Sequence, residues 1–284
     1  MTGRRDWGLP DLPTGRIIAG NYLRYLRDRA GRSFAGVCGT AGLTHTEMSR
    51  IESGSRPLPQ KVAETLLAGY GVGEPGRCGF AGFLHETESA IKYAAAPRDR
   101  AFDCGTGWPD RLAALEQRAV DARLCAQRFV PGFLRTPGYT ARIADRPDPT
   151  GLQITRPSVI GACPTVVLGE AVLLRPLGAP PAFAAQMQYV LGAVDAQLIR
   201  LRILPLDAAA HSEFPEQLGE FVLPDGGRVY AAEGDYATYY SGRAAEERLG
   251  AILAAVTEAA LPEDQSREYL RLTRDKASAG DRLR

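Results

Sequence analysis

The stretch that most constrains this chain runs from Val37 to Gly54, Val-Cys-Gly-Thr-Ala-Gly-Leu-Thr-His-Thr-Glu-Met-Ser-Arg-Ile-Glu-Ser-Gly. Ser33 can cap a helix that ends near Ala41, where Gly42 stops it. Thr44 caps a second helix, Glu47 three residues later completes a capping box, and Gly54 ends it. Val37 and Cys38 then lie on the inner face of the first helix, and Met48 and Ile51 on the inner face of the second. Thr44, His45, Thr46, Glu47, Ser49 and Arg50 are left outside. Two short helices joined by a tight glycine turn, the second with an exposed polar start, suit the major groove of DNA, where the first residues of such a helix reach base edges. The helix dipole at that end also favours a phosphate.

Helical patterns flank this pair. Ile17 to Ala30 places Ala19, Leu23, Leu26 and Ala30 on one face, with Arg24, Arg27 and Arg29 elsewhere. A fourth helix follows Pro59 and carries Val62, Leu66, Leu67 and Tyr70, and a fifth follows the turn Gly73-Glu74-Pro75. Residues 94–108 read as a linker. Beyond it helices and strands mix: Pro109 to Gln127 reads helical, Thr165 to Leu174 as a strand, Pro181 to Val194 as a helix, and Ile199 to Leu206 as a strand. Glu220–Leu223 and Arg228–Ala232 flank Pro224-Asp225-Gly226-Gly227, a strong hairpin signal. Ala244 to Ala259 and Glu263 to Leu272 read as helices. The expected domains are 1–93 with an N-terminal arm, the 94–108 linker, and a 109–284 α+β regulatory or dimerisation domain. The expected fold is an all-helical five-helix first domain beside a small, mainly antiparallel sheet.

Charge supports that division. The whole chain has a net charge of +1, but residues 1–84 hold 11 basic and 7 acidic side chains, a net of +4. The remaining 200 residues carry −3, so a basic module is masked by an acidic one. Near-zero overall charge excludes a protein that coats nucleic acid by bulk attraction. No apolar run is long enough to span a bilayer, and the first residues lack a signal-peptide core, so a cytoplasmic protein is the expectation. The five cysteines (Cys38, Cys78, Cys104, Cys125, Cys163) form no CxxC pair or Cys/His cluster, so neither a metal nor another cofactor is expected, and each cysteine is expected to pack as a small hydrophobe. Arginine far outnumbers lysine (Lys61, Lys92, Lys276), which fits either a GC-rich genome or phosphate recognition.

Residues from about Arg16 to Gly73 resemble the Xre-type, lambda-repressor-like helix-turn-helix family. The resemblance rests on Leu23-Arg24-x-Leu26-Arg27, Ala30-Gly31, Gly42, Ser49-Arg50-Ile51-Glu52-x-Gly54 and Leu66-Leu67-x-x-Tyr70-Gly71-Val72. It implies DNA contacts from Thr44, His45, Thr46, Glu47, Ser49, Arg50 and Arg56, with His45, Thr46 and Arg50 reading bases and Thr44 at a capping and phosphate position. Phe34, at the start of the preceding helix, departs from the family's polar pattern, as do Gly36 and Gly39 within it. Arg50 has a second reading as an ion-pair partner of Glu47 one turn away. Arg4, Arg5 and Arg16 are candidates for an arm that touches phosphates.

Residues 109–273 resemble the C-terminal domain of actinobacterial Scr1-type, antitoxin-like regulators, through Val130-Pro131-Gly132-Phe133-Leu134-x-Thr136-x-x-Tyr139, Glu170-Ala171-Val172-Leu173-x-Arg175-Pro176-Leu177-Gly178, Leu201-x-Ile203-Leu204-Pro205 and Ala210-His211. Gly169 and Thr155-Arg156-Pro157 depart from it. The resemblance implies a homodimeric regulator of transcription that binds double-stranded DNA, with a small partner protein or small-molecule effector on the second domain and no membrane. His211, Glu213, Tyr236, Tyr239 and Tyr240 are candidates to line a ligand pocket. No catalytic constellation, P-loop, GxSxG or dinucleotide fingerprint occurs. The alternative function is a regulator scaffold reused to bind or convert a small molecule in a biosynthetic pathway.

Overall fold

A computed structural model describes residues 12–93, 98–143, 163–208 and 216–280. The chain divides into two compact units, Met1–Ala114 with Thr238–Ala245, and Leu115–Ala237 with Glu246–Arg284.

The first unit opens with helices α1 (Thr14–Arg29), α2 (Phe34–Ala41), α3 (His45–Glu52), α4 (Gln60–Gly69) and α5 (Glu74–Tyr93). Ile18 and Leu23 of α1, Val37 and Cys38 of α2, Met48 and Ile51 of α3, Leu67 of α4 and Phe80 of α5 are buried, so each helix contributes its apolar stripe to one core. Strand β1 (Arg100–Asp103) follows, within the stretch expected to be linker, and helix α6 (Trp108–Arg118) begins right after it. Strand β7 (Ala237–Ser241) also joins this unit from Thr238 onward. The unit is therefore not the all-helical module expected. A strand of four residues carries too short an alternation to be told from a loop in the sequence.

β1 is held by a fully buried ion pair. Arg111 of α6 donates through Nε (2.7 Å) and Nη2 (2.6 Å) to the two carboxylate oxygens of Asp103, and both side chains are 0% exposed. The rest of the guanidinium donates to the Gly105 and Thr106 carbonyls and lies over the Phe83 ring. A Cβ on Gly79 of α5 would overlap the Thr106 carbonyl, so only glycine lets α5 sit against this loop.

The second unit contains β2 (Asp121–Ala126), a 3-10 turn (Gly132–Leu134), α7 (Pro137–Ile143), β3 (Thr165–Gly169), α8 (Glu170–Leu174), α9 (Pro180–Asp195), β4 (Arg200–Leu204), β5 (Gln217–Val222) and β6 (Arg228–Glu233). The short α10 (Arg243–Ala245) falls in the first unit, and a π-helical turn (Glu246–Gly250), α11 (Ala251–Ala259) and α12 (Glu263–Ala279) complete the second. The strands of the second unit make a mixed sheet, where a small, mainly antiparallel one is expected. In the second unit their order is β6-β5-β2-β3-β4. β2 pairs with β3, and β3 with β4, in parallel, while β5 runs antiparallel to both β2 and β6.

Several expectations change here. The helix expected over Pro109–Gln127 ends at Arg118, and its last residues are β2, paired on both sides. The strand expected over Thr165–Leu174 stops at Gly169, and Glu170 starts α8. The hairpin forms where expected, with Val222 opposite Arg228 and Gly226 at φ +83° in the turn. β4 does not present a bare edge: Ile203 N–H donates to the Ser266 hydroxyl (2.9 Å) and its carbonyl accepts from Leu261 N–H (2.8 Å). On β5, Glu220 is buried beneath three donors, Arg123 (2.7 Å), Arg228 (2.8 Å) and the Tyr230 hydroxyl (3.0 Å). Burial alone would raise its carboxyl, but these donors hold it below the usual carboxylate range.

Arg111→Met leaves the buried Asp103 carboxyl without its guanidinium partner, and should cost the first unit about 3–5 kcal/mol in chemical denaturation. Adding Asp103→Leu should recover part of that loss. Recovery stays incomplete because the Gly105 and Thr106 carbonyls still lack their donor.

Candidate nucleic-acid interface

The α2–α3 pair forms through the local signals seen in the sequence. The Ser33 hydroxyl accepts from Gly36 N–H (3.2 Å), and Gly42 ends α2 at φ +66°. At the start of α3 the Thr44 hydroxyl accepts from Glu47 N–H (3.2 Å), and Glu47 Oε2 accepts from Thr44 N–H (3.0 Å) and from the Thr44 hydroxyl (2.9 Å). The capping box is complete.

The orientation of α3 comes from its C-terminal end. The Glu52 side chain is only 1% exposed and is clamped by two arginines of α1. Arg24 Nε donates to it at 3.0 Å, and Arg27 donates through Nε (2.7 Å) and Nη2 (3.2 Å). The backbones meet at the same place. A Cβ on Gly20 of α1 would stand 2.5 Å from the Ile51 carbonyl oxygen and 2.6 Å from that of Glu52. Gly54, at φ +75°, leaves no room for a side chain against Arg16 and Ile17. Arg16, a candidate for the arm, instead forms a two-pronged pair with Glu88 of α5.

The outer face of α3 holds the sequence-predicted residues together. Thr44, His45, Thr46, Ser49 and Arg50 are exposed and Glu47 is half-buried, while Met48 and Ile51 are buried beneath them. Glu47 does not pair with Arg50; its partner is Arg56 (2.8 Å). Arg56 reaches back because the Arg50 carbonyl gathers the next turn, accepting from the Ser53 and Ser55 hydroxyls and from Arg56 N–H, each at 3.1 Å. Among the described residues nothing engages the Arg50 guanidinium. Glu47 is held below the usual carboxylate range, first by the Thr44 backbone, then by the Thr44 hydroxyl and Arg56. The Arg24–Glu52–Arg27 clamp and the Glu47–Arg56 pair were not foreseen, because each joins residues whose proximity only the fold creates.

Phe34 and the two α2 glycines also have places. Arg27 lies over one face of the Phe34 ring (5.4 Å), and the ring meets the His45 imidazole edge-on (5.4 Å between centroids, 83° between planes). Gly39 faces open space, and only the Ser33 hydroxyl lies near Gly36.

Of the candidate pocket residues, Tyr236, Tyr239 and Tyr240 are described. His211 and Glu213 lie outside the described residues, as do Arg4, Arg5 and the 155–157 motif. Tyr236 is exposed, while Tyr239 is buried and Tyr240 half-buried on β7. Adjacent residues of a strand point to opposite faces, so Tyr239 and Tyr240 address different environments. Among the cysteines, Cys38 and Cys125 are buried, and burial pushes the Cys125 thiol up to about 12. Cys78 and Cys104 are exposed, contrary to expectation, and Cys163 is intermediate.

A buried clamp, a capped two-turn helix and an exposed polar face define a helix-turn-helix protein with an appended α+β unit. Residues 18–77 match a model described as a helix-turn-helix domain. Residues 109–272, more than half of the chain, match the domain of unknown function DUF5753, and the chain belongs to that family. Neither the curated proteins nor the solved structures contain a match. Among the described residues no helix is long and apolar enough to cross a membrane.

Two outcomes follow from this geometry. Gly20→Ala drives a methyl into the α3 backbone, where no rotamer change relieves it, and should cost about 1–3 kcal/mol in denaturant titrations. A carboxyl lowered by folding stabilises above its unfolded value and loses that contribution as pH falls through the lowered one. The α3 cap should therefore hold at neutral pH and weaken only in acid. A carboxyl-detected NMR titration of Thr44→Val should find Glu47 moved up only part of the way toward an ordinary glutamate, because the backbone N–H at position 44 still donates to it.

Proposed function

We propose that this chain is a sequence-specific DNA-binding regulator of transcription that acts as a homodimer, with its second unit sensing a small molecule or a small partner protein. The observation that carries the reading is the outer face of α3. Its polar side chains are exposed and its one arginine unengaged, while the neighbouring acid is neutralised by Arg56. Inserted in a major groove, Arg50 offers a bidentate fork to a guanine, and His45 and Thr46 lie one turn earlier for adjacent base edges. Thr44 and the positive end of α3 suit a phosphate. Two copies related by a two-fold axis would read half-sites one helical turn apart.

The test is selection of bound sequences from random duplex DNA by the full chain, followed by titration of the selected site at several salt concentrations. A palindromic site with half-sites about one helical turn apart, bound with a shallow but measurable salt dependence, supports the reading. Arg50→Ala should weaken the selected site by roughly 10- to 100-fold and relax one guanine position, with little change on random DNA. Enrichment of no sequence, or an Arg50→Ala protein indistinguishable from the parent, sinks it.

A further inference from the structure

We infer that Phe34 is a specificity-determining positioning residue, which fixes the His45 imidazole at the start of α3 and so sets the base that His45 reads; this rests on the proposed function. Four side chains from three helices are linked in series. Glu52, at the C-terminal end of α3, is buried and accepts two bonds from Arg27. Arg27 caps one face of the Phe34 ring at 5.4 Å. Phe34, the first residue of α2, meets the His45 ring at 5.4 Å and 83°. His45 is the first residue of α3. The series leaves α3 at one end and returns to it at the other.

Each link limits the next. Burial keeps Glu52 in place, because an unpaired carboxylate there is costly, and Glu52 keeps the Arg27 fork in one plane. A guanidinium stacked on an aromatic face restricts that ring, and an edge-on aromatic pair has a narrow geometric preference. An exposed histidine at the first turn of a helix otherwise samples several rotamers. With Phe34 beside it, the imidazole is pre-set before any contact is made, so ordering it costs less on binding. Phe34 itself is half-buried and apolar, with no polar group to hydrogen-bond a base edge or hold a phosphate. Its effect on DNA passes through His45.

Two measurements test this, one of them without DNA. In the free protein, the His45 ring-proton NMR signals, assigned with His45→Ala among only three histidines, should carry an aromatic ring-current shift. That shift should vanish in Phe34→Leu and persist in Phe34→Tyr. Unchanged His45 signals in Phe34→Leu overturn the inference whatever the DNA does. In the random-sequence selection, Phe34→Leu should relax the same base position that His45→Ala relaxes, by roughly three- to tenfold. Binding to random DNA and its salt dependence should stay at parental values. The Phe34→Leu/His45→Ala double variant should lose nothing further at that position, and Phe34→Tyr should restore the preference. Uniform weakening across all sequences by Phe34→Leu marks a packing role alone and overturns the inference. If the parent selects no sequence, the proposed function fails. If the parent selects one and Phe34→Leu leaves its preferences intact, only the inference fails.

Discussion

The geometry of the first unit depends on one buried carboxylate. α3 spans eight residues, too short to persist as an isolated helix. Its capping box closes one end, but a cap fixes where a helix starts, not where it points. The direction comes from Glu52. Removed from water, that carboxylate must be paired, and its two partners lie one turn apart on α1. The bare backbone of Gly20 lets the helices close until the pairing is made. Ion pair and glycine contact act at the same crossing, so the direction of α3 does not depend on Thr46, Ser49 or Arg50 of its outer face. Met48 and Ile51 hold the inner side, and the residues between them can be chosen for what they touch.

What could be read in the sequence follows the range of the physics. The five leading helices, and the side-chain caps of α2 and α3, were legible because a cap hydroxyl, a left-handed glycine and a 3.6-residue stripe act within a few residues. β2 was not. Asp121-Ala-Arg-Leu-Cys-Ala continues the composition of α6, and it becomes a strand only because β3 and β5 pair with it from both sides. The boundary at Gly169 was missed for a related reason. Val166, Val167 and Leu168 are buried in the sheet, and Val172 and Leu173 in a helix, so the apolar run is continuous while the backbone changes state. Parallel ladders between segments far apart in sequence leave no local trace of their partners.

The interface was legible as a list of positions but not as a set of interactions. In the sequence Glu47 has Arg50, one turn away, as its candidate ion-pair partner. The turn gathered by the Arg50 carbonyl brings Arg56 back instead, which neutralises Glu47 and leaves Arg50 disengaged. Phe34 broke the local polar pattern, and such a break with a definite packing partner points to a role rather than to decay. Gly36 and Gly39 have no such partner, and nothing in the fold requires glycine at either.

The charge distribution bears on how such a face would find its site. With net +4 over residues 1–84 and −3 over the rest, long-range attraction for DNA is weak and local. Beside α3 the pairing of Glu47 with Arg56, from the turn that follows the helix, removes a further cation from the pool that phosphates can recruit. A single copy therefore has few counterions to release and little non-specific affinity. On the proposed reading this favours discrimination: occupancy must come from a few placed groups, and joining two copies multiplies their selectivity by making the second half-site an intramolecular event. A strongly basic surface would raise affinity for all sequences alike. A nearly neutral chain with one unengaged arginine on a rigid helix gives up that general affinity and keeps the part that depends on the base.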